Sequence, residues 1–463
     1  MSDSIRQRAR AHLDALGAHE LFAPARWRHR AALWGGGILV GLAAIAFAKA
    51  SDLAFSGFRQ VLAWSQWLPL LLTPAVFGLL AWLTQGALRA TRGSGIPQVI
   101  AALQVEDASF RDRLLSIRVA AGKMILTLLA LLGGASIGRE GPTVHVGAAL
   151  MHALGRRFGF VDPKVLSRFV LAGGGAGIAA AFNTPLAGVV FAIEELAGTY
   201  EHRFSGIVLT AVIFAGVVSL GILGNYAYFG RVDAVLPLGQ GWLAVLLCGV
   251  CGGIGGGLFA RLILPADSGP LARLGELRRR GPVRFAAMCG LALAVLGILS
   301  GGTVYGTGYT QAHELVQATH ATGASFGLLK LAANTLSYWA GIPGGIFSPA
   351  LAVGAGMGES LAALLGGTDS NTVVLLGMAA FLAGVTQAPL TAAVISMELT
   401  ANQSLIIPIL AVCLLARGLS SVPCPTPIYR AFAARLVDEF EHQQDIVRTP
   451  EAGAADDAES SKS

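Results

Sequence analysis

Four short segments interrupt the long apolar runs of this chain, and each carries groups that can contact a small anion. Three are rich in glycine and proline, at 93–97, 138–142 and 345–349, and the fourth surrounds Tyr429. A helix that is broken inside a membrane leaves backbone N–H groups in need of an acceptor. Because a helix N-terminus also carries partial positive charge, several broken helices that meet at one point favour an anion. The four segments together predict an anion pathway inside a membrane.

The composition agrees with a helical membrane protein. Of the 463 residues, 54% are hydrophobic and 13% are charged, whereas a soluble domain carries about 25% charged residues. Several apolar runs exceed the roughly 20 residues that one span needs, and some contain internal glycine or proline, so we expect more helices than runs. No stretch alternates as the strands of an outer-membrane barrel do. The predicted fold class is an all-α polytopic bundle, and basic flanks of its spans explain the net charge of +6 without nucleic acid.

The charge distribution divides the chain into three parts. Residues 1–30 carry six arginines and predict a cytoplasmic basic segment by the positive-inside rule. Residues 31–437 contain the apolar runs and form the predicted transmembrane domain. Residues 438–463 end in a stretch rich in acidic, alanine and serine residues, which predicts a disordered cytoplasmic tail. Both termini are therefore expected in the cytoplasm.

The transmembrane part contains an internal repeat. Residues 138–147 match 345–354 in the spacing of glycine, proline and valine, at an offset of 207. A Pro-Leu pair followed by glutamate recurs at 185–194 and 389–398, at an offset of 204. Corresponding interrupted segments in two halves point to a transporter binding site at the interface of the repeats. The spacing leaves the relative orientation of the two halves open.

In this order, the four segments resemble the motifs of the CLC family of chloride channels and chloride/proton antiporters, of the bacterial type without C-terminal regulatory domains. The resemblance runs from about residue 35 to 437. It implies a homodimer in the cell inner membrane, with one anion pathway in each subunit and two inverted-topology repeats of tilted and broken helices. It also implies that chloride and protons are the cargo. We expect no cofactor, no metal and no enzymatic activity.

The resemblance assigns the central anion site to donors from three segments. Ser94 matches the family serine that donates to the anion, and Tyr429 matches the tyrosine that closes the inner end of the site. Serine at this position, rather than the proline of nitrate-selective relatives, favours chloride. The flanking Gly93 and Gly95 leave the space that the serine hydroxyl needs.

Backbone donors complete the expected site. Ile346 and Phe347 are expected to contribute their N–H groups, because neutral amides hold chloride without trapping it. Gly345 lets the chain come close to the anion.

Two glutamates are expected to move protons. Glu140 begins a helix next to Gly141 and matches the family's gate glutamate. Its carboxylate is expected to compete with chloride when ionised and to leave the site when protonated. Arg139 is expected to supply local positive charge. Glu195 matches the internal proton-transfer glutamate, which antiporters typically keep and channels typically replace, whereas Glu194 is expected to be structural. These residues favour chloride/proton antiport, with a voltage- or pH-gated chloride channel of the same fold as the alternative.

Two other functions are each compatible with part of this sequence. Ser136 lies in a Gly-x-Ser-x-Gly sequence typical of hydrolases, but such a serine needs a strand–turn–helix context. A fluoride exporter of the same fold would depart from the motif at 138–142 and from the serine and tyrosine pattern of Ser94 and Tyr429.

Cys248 and Cys251 are expected to be small buried residues rather than a metal or disulfide pair. The roles of Lys123 and His145 in pH dependence stay open, as do stoichiometry, rate and physiological role.

Overall fold

A computed structural model of the chain describes residues 24–443 apart from 87, 199–204, 234, 237–239, 265–268, 320–321 and 367–368. The described residues contain helices and connecting loops but no strand longer than an isolated bridge. The first helices are α1 Pro24–Trp64, α2 Pro69–Leu83, α3 Ile96–Gln104, α4 Ala108–Leu114, α5 Ile117–Leu132, α6 Glu140–Arg157, α7 Pro163–Phe182, α8 Pro185–Phe191 and α9 Ser205–Leu223. They are followed by α10 Gln240–Ile263, α11 Gly269–Arg280, α12 Pro282–Leu299, α13 Tyr309–Val316, α14 Phe326–Trp339, α15 Phe347–Leu365, α16 Ser370–Thr386, α17 Pro389–Thr400, α18 Ile406–Ser420 and α19 over 428–443.

Within the described ranges, seven helices are long and apolar enough to cross a membrane: α1, α7, α9, α10, α12, α15 and the α4–α5 segment Ala108–Leu132. Other apolar helices, including α2, α16, α17 and α18, are shorter than 18 residues. Short helices next to long ones are what the interrupted apolar runs predict. Helix α1 begins at Pro24, inside the predicted segment 1–30, and α19 continues to residue 443, so the first six residues of the predicted disordered tail 438–463 are helical; the other residues of both segments lie outside the described ones.

In both predicted repeats, one helix ends at a residue with left-handed backbone and the next helix begins at a proline. Helix α7 ends at Asn183 and α16 at Gln387, both with left-handed backbone at φ of 58° and 61°. Two residues later, Pro185 and Pro389 begin α8 and α17. Proline is favoured at the first turn of a helix because its missing N–H has no partner there. The offset of 204 between these pairs extends the repeat found in the sequence.

Glycine contacts hold the long helices of each half together. Gly147 of α6 lies directly against the backbone of Gly173 of α7, where a side chain at either position would collide with the other helix. Gly354 of α15 makes the same approach to Gly377 of α16, and a Cβ there would lie 2.5 Å from its carbonyl oxygen. Small residues at such crossings let helix backbones pack closely in a membrane. These contacts position α6 and α15, which begin within two of the four motif segments.

Candidate anion pathway

Backbone hydrogen bonds bring three of the four motif segments together. The N–H of Gly138 donates to the carbonyl of Gly345 at 2.7 Å, and the N–H of Gly345 donates back at 2.7 Å. The N–H of Gly344 donates to the carbonyl of Gly93 at 3.2 Å. Gly344 has a φ of +156°, and a Cβ there would lie 2.6 Å from the side chain of Ile137. Glycine is therefore required where the two halves meet.

Four helices begin at these segments. Helix α3 begins at Ile96, α6 at Glu140 and α15 at Phe347, while α19 begins one residue before Tyr429. The first N–H groups of each helix have no partner within that helix. Ile346 and Phe347, the expected backbone donors, are buried at the first turn of α15. The geometry thus places several helix N-termini, with their partial positive charge, around one region of the protein.

Two buried hydroxyls lie close together at this point. Ser94 and Tyr429 are 1% and 0% exposed, and neither hydroxyl has a hydrogen-bond partner among the described residues. The Tyr429 hydroxyl lies beside that of Ser94, without the geometry of a full hydrogen bond between them. The Ser94 hydroxyl also lies against the Cα of Gly141, where any side chain would collide with it. A buried hydroxyl without a partner costs free energy unless a ligand or water satisfies it, and these two can both donate to an anion.

The carboxylate of Glu140 is bound at the start of α15. Glu140 is 1% exposed; its Oε1 accepts a 2.5 Å hydrogen bond from Ser348 Oγ, and its Oε2 lies 3.4 Å from the Ser348 backbone nitrogen. A carboxylate in this position gains from the partial positive charge of the helix N-terminus. Ser348 belongs to the motif segment 345–349, and the repeat offset of 207 aligns it with Gly141, but its position in the sequence does not reveal its contact with Glu140. The Glu140 carboxylate therefore occupies a position at the N-terminus of α15 that would also suit chloride.

The guanidinium of Arg139 is bound to α1 and remains within electrostatic range of Glu140. Its Nη1 donates to Asp52 Oδ1 at 2.6 Å and to the carbonyl of Ala48 at 2.7 Å, both on α1. The side chain of Arg139 is 10% exposed and that of Asp52 is 73% exposed. Arg139 therefore fixes the segment before Glu140 to α1, and its charge is partly compensated by Asp52.

Glu195 lies in a π-helical turn, Ala192–Ala197, that continues α8. It is 4% exposed and accepts no hydrogen bond from the described residues. Arg430 and Tyr429 lie within electrostatic range of its carboxylate. The guanidinium of Arg430 packs against Gly198, which ends the turn. Glu195 is thus a buried acid next to the helix that carries Tyr429.

Glu194 and Glu398 each cap the N-terminus of a helix in the other repeat. The Glu194 carboxylate accepts hydrogen bonds from the backbone nitrogens of Leu390 at 3.1 Å and Thr391 at 2.6 Å, at the start of α17. The Glu398 carboxylate accepts from Leu186 at 3.2 Å and Ala187 at 2.6 Å, at the start of α8. Each acid satisfies two N–H groups that the helix leaves without partners. This exchange gives Glu194 the structural role expected from the sequence.

Lys123 and His145 are buried near the Ser94 segment. Both are 0% exposed. Lys123 Nζ lies 3.3 Å from the carbonyl oxygen of Gly93 and 3.5 Å from that of Arg92, so its hydrogen-bond partners are backbone carbonyls. His145 Nε2 lies 2.8 Å from the carbonyl oxygen of Leu114 and must donate to it. The histidine therefore has a local structural partner.

The residues of the rejected alternatives have ordinary surroundings. Ser136 precedes a helix but follows no strand in the described residues, and its hydroxyl donates to Asn334 Oδ1 at 2.7 Å. His145 bonds to Leu114 rather than to Ser136. Cys248 is buried and Cys251 half-buried, both as free thiols in α10. The described ranges contain no group of three metal-ligating side chains.

Comparison with known proteins identifies the family. The model of the voltage gated chloride channel family matches residues 76–421. The chain therefore belongs to the CLC family, and it is a multi-pass membrane protein with the all-α CLC fold.

Individual relatives cover most of the chain. The H(+)/Cl(-) exchange transporter ClcA of Yersinia pestis is 30% identical over 441 residues, covering 89% of this chain and 88% of its own. The structure of a slow cyanobacterial Cl-/H+ antiporter superposes with a TM-score of 0.74 at 24% identity, covering 89% of this chain and 98% of its own. A CLC-type fluoride/proton antiporter gives a TM-score of 0.71 at 26% identity, covering 86% and 96%. Relatives with different halides thus share this architecture.

Proposed function

We propose that this protein is a secondary transporter that exchanges chloride for protons across the cell inner membrane. The observation that carries the proposal is the position of Glu140, a buried carboxylate held at the N-terminus of α15 by Ser348. The same region contains the unpartnered hydroxyls of Ser94 and Tyr429. One site that accepts either a carboxylate or a halide links the two ions, because the carboxylate must be neutralised before it yields the site.

The central site follows from these donors. Chloride is bound by the hydroxyls of Ser94 and Tyr429 and by the N–H groups of Ile346 and Phe347. Gly345, Gly93, Gly95 and Gly141 keep the backbones close enough to make those contacts. Neutral donors suit a transported ion, which must bind and then leave. No cofactor takes part; chloride is the cargo.

Glu140 acts as the outer gate and proton acceptor. When it is ionised, its carboxylate occupies the seat at α15 and competes with chloride. When a proton neutralises it, the interaction with the helix terminus weakens and the side chain swings away, which admits chloride. Glu195 serves as the inner proton station, exchanging protons with the cytoplasm beside Arg430.

Antiport is preferred to a channel because Glu195 is present and buried next to the anion site. The curated relative that is 30% identical over most of its length carries the name of an exchange transporter, which supports the same choice. A chloride channel of this fold remains the second candidate, favoured by the description of the matching family model. We propose chloride rather than fluoride as the cargo because the motif residues Ser94, Glu140 and Tyr429 are all present.

The proposed assembly is a homodimer with one pathway in each subunit. Residues 31–437 form its transmembrane domain, with the basic segment 1–30 and the tail 438–463 in the cytoplasm. Exposed leucines of α8 and α17, Leu186 at 56% and Leu390 at 36%, lie where the two repeats cap each other and support a partner on that face.

Halide efflux from proteoliposomes tests the cargo. Liposomes with purified protein are loaded with chloride or fluoride, and efflux is followed with ion-selective electrodes after the membrane potential is clamped. We expect chloride efflux that exceeds fluoride efflux. Fluoride efflux faster than chloride efflux, or no halide efflux above that of protein-free liposomes, contradicts the proposal.

A further inference from the structure

Lys330 of α14 is a completely buried cation with only neutral partners. It is 0% exposed, and its Nζ donates to Ser136 Oγ at 2.9 Å, to the carbonyl of Val304 at 2.9 Å and to the carbonyl of Gly306 at 2.8 Å. An ammonium group has three N–H donors, so all of them are satisfied. It forms no ion pair with any carboxylate in the described ranges. Burying a charge without a counter-charge costs free energy, so we expect this charge to have a function.

One partner of Lys330 belongs to the segment that leads to the gate. Ser136 precedes Gly138 by two residues, and its hydroxyl donates onward to Asn334 Oδ1 at 2.7 Å. Its backbone nitrogen donates to Ser337 Oγ at 3.0 Å. Three side chains of α14 therefore hold one serine, which lies four residues before Glu140. Gly138 in turn pairs with Gly345 at the start of α15.

The other two partners belong to the loop between α12 and α13. Gly301, Gly302, Gly306 and Gly308 of this loop all have positive φ. Four glycines in nine residues leave the backbone with few intrinsic constraints. The ammonium group crosslinks two carbonyls of this loop to Ser136. It thereby ties the loop to the segment before the gate.

The charge of Lys330 lies close to the anion pathway. Two residues span at most about 7 Å, so Ser136 is within that distance of Gly138 and the joined loops of the site. With Lys330 Nζ 2.9 Å from Ser136 Oγ, the charge lies within roughly 12 Å of the junction of Gly138 and Gly345, beside which α6 and α15 begin. At an effective dielectric constant of about 20, a unit charge at that distance alters anion affinity by about tenfold.

We propose that Lys330 is a positioning residue for the anion site, which fixes the segment before Glu140 through Ser136 and holds an uncompensated positive charge behind it. This inference rests on the proposed chloride site but not on proton coupling. Neutral ligands are what such a role requires, since a carboxylate partner would cancel the field that the anion feels. An arginine at position 330 keeps the positive charge and should preserve the anion affinity, whereas a neutral side chain of similar length should not.

Chloride binding to the purified, detergent-solubilised protein tests this role. Titration calorimetry is carried out on the full chain, on Lys330→Met, Lys330→Arg and Ser136→Ala, and on Lys164→Met, which makes the same substitution at an exposed lysine on the surface of α7. Transport assays on the same variants give the KM for chloride and the maximal rate separately.

We expect Lys330→Met to weaken chloride binding and raise the KM about tenfold, with a smaller change in the maximal rate. Lys330→Arg and Lys164→Met should stay within about twofold of the wild type. Ser136→Ala should weaken binding about threefold, and it is the deciding variant if Lys330→Met does not fold. Wild-type affinity in Lys330→Met, or in Ser136→Ala where the former does not fold, overturns the proposal. Absence of proton coupling with these affinity changes intact would contradict antiport alone, whereas absence of chloride binding by the wild type would contradict the proposed site itself.

Discussion

The hydroxyl of Ser348 donates a 2.5 Å hydrogen bond to the carboxylate of Glu140, a residue 208 positions away in the chain. This contact joins the first residue of α6 to the first turn of α15, across the junction of the two repeats. It gives the proposed gate a defined closed position.

Glu140→Gln should leave chloride transport intact and abolish coupled proton movement. The amide imitates the protonated carboxyl group and has no charge to hold it at the helix terminus. Chloride and proton fluxes from proteoliposomes are measured in parallel, with Glu106→Gln as the matched control at an exposed glutamate. Proton movement at the wild-type ratio to chloride in the Glu140 variant would refute the gate.

Ser348→Ala should weaken the closed position without removing the gate. A hydrogen bond to a charged group contributes about 1.5–3 kcal/mol, so its loss lets chloride compete better with the carboxylate. We expect the KM for chloride to fall by about tenfold or more, while protons remain coupled. An unchanged or raised KM would show that the hydroxyl does not hold the carboxylate during transport.

Ser94→Ala should change anion preference more than stability. The substitution deletes one buried hydroxyl that has no protein partner, and it opens no large cavity. We expect the ratio of chloride to nitrate flux to fall severalfold, with the thermal unfolding midpoint in detergent close to that of the wild type. An unaltered ratio in a well-folded variant would remove Ser94 from the site.

Glu194→Ala and Glu398→Ala should each destabilise the protein, because each removes an acceptor for two helix N–H groups. The loss of a capping side chain costs about 0.5–2 kcal/mol. We expect both variants to unfold at lower temperature in detergent. Glu195→Gln is the comparison, since Glu195 accepts no hydrogen bond from the described residues, and it should unfold near the wild-type temperature. Equal stability of all three variants would contradict the capping roles.

The sequence predicted those parts of the fold and candidate site that depend on local chemistry. Glycine and proline restrict the backbone wherever they occur, so the motif segments and the helix starts at Pro185 and Pro389 were recognisable from their composition. The family assignment was confirmed by the comparisons. The roles of the site residues stay predictions that the experiments above address.

Contacts between distant parts of the chain were not predictable in the same way. Ser348 was recognised only as part of a motif, because nothing local reveals that its hydroxyl meets Glu140. The positive charge of Arg139 beside Glu140 is predictable, but nothing local reveals that its guanidinium is paired with Asp52 on α1. The partners of Lys123 are backbone carbonyls, which a search for charged side chains does not find. Such contacts depend on how helices pack rather than on residue spacing.

Proton movement driven by a chloride gradient tests the central claim most directly. Purified protein in liposomes is given an outward chloride gradient with the membrane potential clamped, and external pH is recorded. We predict that chloride efflux drives protons inward against their own gradient, and that Glu195→Gln abolishes this movement while chloride still passes. Rapid chloride efflux without proton movement by the wild type would contradict antiport and make the protein a chloride channel.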